Sequence, residues 1–260
     1  MPTLRFFVQL LRTSVRASLA LRGAFLLRVA FMALNNLIFF VFWWLLFQRV
    51  PSVRGYDLAD MATLFGVSAA GFGLANTLGG GVHQLGRMID EGELDTLLTQ
   101  PKPTLPYAVC MRCNAAAVGD FLSGTAMLIA SGHVSLSRLP LIALAIASSA
   151  VMFTASAVLI FSSAFWLGRN DGACRQMLDT LITFSLYPDT LFGGAVRLLL
   201  FTALPAAFVG HVPAKLVREP SLTNVALLLT AIVFYSLLAA FVFKRGLSRY
   251  NSGSRFGVMG

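Results

Sequence analysis

The densest group of ionisable side chains lies in one polar connector, residues 85–103. Four of the chain's eleven acidic residues occupy six positions there: Asp90, Glu91, Glu93 and Asp95. Apolar residues alternate with these acids, and Gly92 and two prolines interrupt the stretch, a pattern typical of short amphipathic helices. Two interpretations stay open at this point. The connector is either a solvated turn at a membrane edge or a docking surface whose charges fix the register of a partner protein.

Three further ionisable residues fall inside apolar stretches, where burial of a charge in lipid is costly. Arg112 is close enough to one end of its stretch to extend its guanidinium to the membrane surface. Asp120 lies near the middle of the same stretch, where it could relay protons or contact a substrate. We expect instead that this carboxylate is paired within the bundle or faces a subunit contact, and Arg197 is a possible partner.

Other chemical motifs are missing from the sequence. A phosphate-binding P-loop needs Gly-Lys-Ser/Thr, whereas the three lysines follow Pro, Ala and Phe. Cys110 and Cys113 have the C-x-x-C spacing of redox and zinc sites, but no second Cys or His pair stands near them. We therefore expect no metal site, no disulfide, no cofactor and no catalytic residue in this chain, which we predict is not an enzyme.

The composition indicates which elements position these residues. Hydrophobic residues make up 57% of the 260 positions and charged residues only 12%, whereas soluble domains contain roughly 25% charged residues. The apolar residues form long runs, and a helix of about 20 such residues crosses a hydrocarbon core. The sequence therefore predicts an all-α membrane protein with six transmembrane helices. Their approximate ranges are 29–47, 61–82, 107–130, 139–167, 191–209 and 224–243, with a short amphipathic helix at 177–187.

The first segment of the chain differs from these spans. Apolar side chains recur at helical spacing between residues 4 and 19, while Arg5, Arg12 and Arg16 share another side of the same helix. Such a basic amphipathic helix is suited to the headgroup layer of a membrane. We therefore divide the chain into an interfacial helix at 1–22, a transmembrane domain at 23–243 and a basic cytoplasmic tail at 244–260.

The distribution of Lys and Arg residues predicts the orientation. With the N-terminus in the cytoplasm, the inner segments hold 13 of these residues and the outer connectors hold 5, in agreement with the positive-inside rule. Both termini are then cytoplasmic, and the acidic connector lies on the inner side. The net charge of +9 comes from these membrane-flanking residues, so a nucleic-acid partner is not expected.

The acidic connector also resembles part of a known family. The run from Ile89 to Asp95, with Leu97-Leu98 and Gln100-Pro101 after it, is similar to the first cytoplasmic loop of permease subunits of type-2 ABC exporters. The six-span bacterial branch of these permeases is the most similar. Other features agree in order along nearly the whole chain, namely Gly119-Asp120, Phe165-Trp166, Tyr187-Pro188 and Pro205-Ala206-Ala207-Phe208.

The resemblance implies the type-2 ABC exporter permease fold and an ATP-driven exporter in the bacterial cytoplasmic (inner) membrane. This chain would supply half of the substrate pathway and pair with a second permease chain, identical or related. It would couple to a separate nucleotide-binding ATPase subunit, which holds the ATP and Mg. The coupling surface implied for this sequence consists of Arg87, Ile89, Asp90, Glu91, Glu93, Leu94, Asp95 and Leu97.

Two other classes of protein remain compatible with the sequence. One is a secondary transporter driven by an ion gradient, and the other is a membrane scaffold or assembly protein that transports nothing. Secondary transporters typically contain internal repeats, and none is evident here. Copurification of a P-loop ATPase would separate the ABC permease from both alternatives.

Overall fold

The computed structural model describes residues 2–250, and it describes the side chains of residues 5–250. This part of the chain is almost entirely helical and contains no β-strand. Helix α1 (Pro2–Leu19) and helix α2 (Arg22–Phe47) are separated by a two-residue bend. Helix α3 (Leu58–Gly79) continues through a 3-10 turn (Gly80–Gln84) into α4 (Leu85–Asp90).

Among the remaining helices only Leu139–Ser162 and Leu222–Leu247 are long, and the others are short. In chain order they begin with α5 (Asp95–Leu98), α6 (Thr104–Cys110), α7 (Ala117–Ala130), α8 (Leu139–Ser162) and α9 (Ala164–Leu167). Then follow α10 (Asp171–Leu186), α11 (Gly194–Phe201), a π-helical turn (Ala207–His211), α12 (Val212–Arg218) and α13 (Leu222–Leu247).

Within residues 2–250, four helical segments are long and apolar enough to cross a membrane: Arg22–Phe47, Leu58–Asp90, Leu136–Leu167 and Leu222–Leu247. They coincide with the first, second, fourth and sixth predicted spans. The most apolar stretches of Leu58–Asp90 and Leu136–Leu167 are 78% and 61% buried within the protein, whereas those of Arg22–Phe47 and Leu222–Leu247 are only 6% and 22% buried. Helix α3 and helix α8 therefore form the centre, and α2 and α13 lie at the periphery.

The glycines of α3 explain why this helix is central. A Cβ atom added at Gly73 would collide with the backbone of α7 at Phe121 and Ala117, and one added at Gly124 of α7 would collide with α3 at Ala70. The two helices are therefore in backbone contact, as small residues allow in membrane helices. The glycine-rich second span was predicted to pack inside the bundle or at a subunit contact, and it packs inside the bundle.

We expect Gly73→Ala to destabilise the protein, because the added methyl group has no space between two backbones. Overpacking of this kind typically costs roughly 1–3 kcal/mol of unfolding free energy. The thermal unfolding midpoint of the purified chain in detergent measures the effect. Gly23→Ala is the matched control, since a Cβ atom at Gly23 meets nothing within 4 Å. Equal midpoints for the two variants would contradict the close contact.

The predicted third span, 107–130, is not one continuous helix. The chain leaves helical geometry between Cys110, at the end of α6, and Ala117, at the start of α7. The amide of Asn114 donates to the carbonyl oxygen of Asn76 in α3 at 3.1 Å, and the Asn114 side chain accepts from the amide of Ala116 at 3.1 Å. These bonds satisfy two of the backbone amides that the interruption frees, which stabilises it.

The predicted fifth span, 191–209, is wrong. The segment contains only the eight-residue α11 and the start of the π-helical turn, because Gly194 has a positive φ of 52° and Pro205 lacks an amide hydrogen. The hydroxyl of Tyr235 donates to the carbonyl oxygen of Thr202 at 2.7 Å, which stabilises the break. The longest helix in this region is α10, which begins six residues before the amphipathic helix predicted at 177–187.

Candidate functional site

The acidic loop (residues 85–103) follows directly from the end of α3. Helix α4 ends at Asp90, and Gly92 turns the chain with a φ of +78°, a conformation that favours glycine. The amide of Glu91 donates to the carbonyl oxygen of Arg87 at 2.8 Å, and the Thr96 hydroxyl donates to that of Glu93 at 2.8 Å. The short helix α5 follows, so the loop has a defined backbone.

The apolar residues of the acidic loop face the protein's own core. Leu85, Met88, Ile89, Leu94 and Leu97 are all less than 10% exposed, and Leu94 is completely buried. They belong to the largest hydrophobic cluster, together with residues of α8 and α10. Burial of each such side chain contributes about 1.5–3 kcal/mol, so the cluster fixes the loop to the bundle. Ile89, Leu94 and Leu97 therefore support the proposed coupling surface from inside and offer almost no surface to a partner.

The side chains of Arg87, Glu91 and Glu93 face outward from the acidic loop. Arg87 Nε lies 3.9 Å from Glu91 Oε2, and Arg87 Nη2 lies 3.7 Å from Glu93 Oε1. These three side chains are 43–45% exposed, and ion pairs at such positions contribute about 0–1 kcal/mol. The arginine can exchange these partners for others at little cost. Arg87 is shared by two exposed carboxylates, so the surface that Glu91 and Glu93 form stays acidic.

The end of α13 packs on the acidic loop. Burial, together with the nearby Asp95 carboxylate, raises the pKa of Tyr250 to about 12. The Tyr250 ring also contacts Phe165 of the α9 region, with centroids 6.3 Å apart, and Phe165 contacts Phe243 at 5.6 Å. Residues 244–250 of the predicted tail are therefore part of the folded bundle. The rest of that tail, including Arg255, lies outside the described residues.

Helix α1 lies beside the segment that follows the acidic loop. Phe6 packs edge-on against Tyr107 at 5.4 Å, and the Lys102 ammonium lies 5.0 Å from the Phe6 ring centre. The Ser14 hydroxyl donates to the carbonyl oxygen of Met111 at 2.9 Å. The side chains of Arg5, Arg12 and Arg16 are exposed. The basic helix and the acidic loop are thus at the same end of the molecule.

The three ionisable residues that were predicted to lie within spans, Arg112, Asp120 and Arg197, do not pair with one another. Asp120 is buried in α7, where Asn36 Nδ2 of α2 donates to its Oδ1 at 2.8 Å. Arg197 is exposed and pairs with Asp189 at 3.4 Å, so the expected pairing of Asp120 with Arg197 is wrong. Arg112 lies in the interruption between α6 and α7 and is exposed.

A polar network at the opposite end of α3 was not predicted from the sequence. Arg218 Nε of α12 lies 2.5 Å from Asp60 Oδ1 of α3, and its guanidinium lies 4.6 Å from the centre of the Tyr56 ring. The Tyr56 hydroxyl donates to Asp189 at 3.0 Å. Burial and the Asp189 charge raise the pKa of Tyr56, so this hydroxyl remains a donor. We call these four residues the outer network, after their position at the end of α3 away from the acidic loop.

Sequence reasoning missed the outer network, although one local signal beside it was available. Asp57 and Asp60 form a capping box at the start of α3, a local pattern that is visible in the sequence. The ion pair with Arg218 joins residues 158 positions apart in the sequence. It depends on the tertiary fold, and no local sequence pattern predicts it.

We expect Arg218→Met to destabilise the packing of α12, because it leaves the Asp60 carboxylate partly buried without its cation. Both side chains are less than 20% exposed, and an unsatisfied buried polar group costs roughly 1–3 kcal/mol. The thermal unfolding midpoint in detergent measures this cost. Lys215→Met on the same helix, at an exposed position, removes the same charge and is expected to change the midpoint little. A smaller effect at Arg218 than at Lys215 would contradict the importance of the pair.

Comparison with known proteins gives one match. The model of the family described as ABC-2 family transporter protein matches residues 33–254. The match begins within α2 and includes the acidic loop, the outer network and α13. No curated protein matches the chain, and no solved structure matches it.

Proposed function

Because this chain belongs to the ABC-2 family of transporter proteins and is a multi-pass membrane permease, we propose that it forms half of the pathway of an ATP-driven exporter. A second permease chain, identical or related, supplies the other half. A separate nucleotide-binding subunit carries the ATP and Mg and hydrolyses the ATP. This subunit docks on the acidic loop.

The main support for this proposal is the structure of the acidic loop. Its outward face presents the carboxylates of Glu91 and Glu93 on a backbone held by five buried apolar side chains. A charged surface on a rigid support suits the recognition of a protein partner, since complementary charge selects the partner and fixes its orientation. The adjacent α1, with its exposed arginines, extends the candidate surface.

We also propose the finer topology that the resemblance to the six-span bacterial branch implies. The four long segments are joined by the interrupted pair α6 and α7 and by α10, which gives six crossings of the bacterial cytoplasmic membrane. Both termini then lie in the cytoplasm with the acidic loop, and α1 lies in the inner headgroup layer. The short helices α11 and α12 lie near the outer face, where they enter and leave on the same side.

The structure supports a route by which force could pass through the bundle. The segment Leu58–Asp90 runs without a loop for 33 residues. One of its ends carries the acidic loop, and the other carries Asp60 of the outer network. Closure of the ATPase subunits would displace the acidic loop, and this segment would transmit the displacement to α12 through the ion pair of Asp60 with Arg218.

The first experiment is purification of the tagged full-length chain from its own membranes. We expect a P-loop ATPase subunit to copurify in a fixed ratio, and we expect transport by the reconstituted complex to require ATP hydrolysis. A secondary transporter would instead work without ATP when a proton gradient is present. A scaffold would show no transport under either condition. Either result would reject the proposed function.

A further inference from the structure

An open cavity of about 570 Å³ lies beside the acidic loop, at the same end of the molecule. It is bounded by the bend between α1 and α2, the 3-10 turn after α3, the interruption between α6 and α7, and the start of α10. Its lining, as far as residues 5–250 are described, includes three arginines, Arg28, Arg112 and Arg175, together with His83, and no carboxylate. None of the functions proposed above uses this basic cavity.

Two of these arginines are uncompensated. Neither Arg28 nor Arg112 has a hydrogen-bond or ion-pair partner within residues 5–250, and both are exposed. Arg175 is held in place, since its Nε lies 2.7 Å from Asp171 Oδ2 and its Nη2 donates to the carbonyl oxygen of His83 at 3.4 Å. Guanidinium groups match phosphate oxygens with paired hydrogen bonds. The cavity therefore has the charge and the donors for a phosphate group.

The other side of the basic cavity is apolar and continues onto an exposed apolar surface. Leu21, Ala24 and Phe25 line it at the start of α2. The neighbouring Leu26 and Leu27 are 64% and 57% exposed, on a helix whose apolar window is almost entirely unburied. A ligand with a charged head and hydrocarbon chains would satisfy both sides, whereas free phosphate would satisfy only one. Basic pockets between membrane helices on the cytoplasmic side bind anionic headgroups in this way.

We propose that this cavity binds an anionic phospholipid, with the phosphate headgroup between Arg28 and Arg112 and the acyl chains along α2. The bound lipid joins α1, α2 and α10, which have few direct contacts with one another across the cavity. Its placement in the inner leaflet rests on the proposed topology. The binding itself is independent of any ATPase subunit, so its test is separate from the test of the proposed function.

The test compares lipid retention by the full-length chain in detergent, measured by native mass spectrometry with added phosphatidylglycerol or phosphatidylcholine. Wild type is expected to retain phosphatidylglycerol in preference to phosphatidylcholine. The double variant Arg28→Gln, Arg112→Gln is expected to retain phosphatidylglycerol about tenfold less tightly. The double variant Arg49→Gln, Lys215→Gln removes the same charge from exposed positions at the opposite end of the bundle, and it is expected to bind as wild type does.

Four results would overturn the proposal. These are equal retention by wild type and the Arg28/Arg112 variant, an equal loss in the Arg49/Lys215 control, no preference over phosphatidylcholine, and displacement of the lipid by an equal concentration of inorganic phosphate. The last result would identify a site for soluble phosphate. If the double variant fails to fold, the single variants Arg28→Gln and Arg112→Gln provide the same comparison, and each is expected to weaken retention severalfold.

Discussion

Reversing the charges of Glu91 and Glu93 together, to lysine, is expected to lower recovery of the ATPase subunit with the tagged chain by about 10- to 100-fold. Like charges opposed across an interface cost several kcal/mol, and each 1.4 kcal/mol is a factor of ten in affinity. The fold should survive, since both side chains are exposed and their pairs with Arg87 at 3.7–3.9 Å are weak. Quantitative mass spectrometry of the purified complex gives the ratio of subunits.

The controls separate this charge effect from damage to the protein. The neutral pair Glu91→Gln and Glu93→Gln is expected to give an intermediate loss. Glu219→Lys, at an exposed position between α12 and α13, is expected to leave recovery unchanged. The thermal unfolding midpoint of each variant checks that the bundle is intact. An unchanged subunit ratio, together with unchanged ATP hydrolysis by the complex, would remove the acidic loop from the coupling surface.

Leu94→Ala is expected to lower the free energy of unfolding by about 2–5 kcal/mol, the range for truncating a fully buried leucine. Leu94 has no exposed surface and belongs to the largest hydrophobic cluster. Because it lies between Glu93 and Asp95, the same change is also expected to loosen the charged face and weaken ATPase recovery. Chemical or thermal unfolding in detergent measures the first effect, and copurification measures the second.

Leu98→Ala is the matched control for this truncation. It removes the same atoms four positions later, where the side chain is 41% exposed, and it is expected to cost less than about 1 kcal/mol. If the two variants lose the same stability, the acidic loop is not supported by the core through Leu94. If Leu94→Ala loses stability and recovers the partner fully, the docking surface does not depend on this support.

Long apolar runs made the peripheral elements predictable from the sequence. Helices α2 and α13 correspond to the first and sixth predicted spans, because an uninterrupted apolar run has few alternatives to a helix in lipid. The interruptions at Asn114 and Thr202 were not predictable. Each depends on a hydrogen bond with a distant residue. The carbonyl oxygen of Asn76 accepts from the Asn114 amide in one case, and the hydroxyl of Tyr235 donates to the carbonyl oxygen of Thr202 in the other.

The candidate site was likewise predictable only in part. The position of the acidic loop and its charge are visible in the sequence, because four acids are crowded beside Gly92. Alternation alone did not separate the residues that face the core from those that face outward, and Ile89, Leu94 and Leu97 were assigned to the contact surface although they are buried. The outer network was missed because its members are brought together only by the tertiary fold.

At Gly73 and Gly124 no side chain separates α3 from α7. Sliding or rolling along that seam would drive backbone into backbone, so the pair can move only as a single rigid hub. Helix α2 is held to the same pair, because a Cβ atom added at Gly119 of α7 would collide with the α2 backbone at Val29, and Asn36 of α2 donates to the buried Asp120 of α7. During a transport cycle α2, α3 and α7 would therefore move together, so that the pathway opens between this unit and its neighbours.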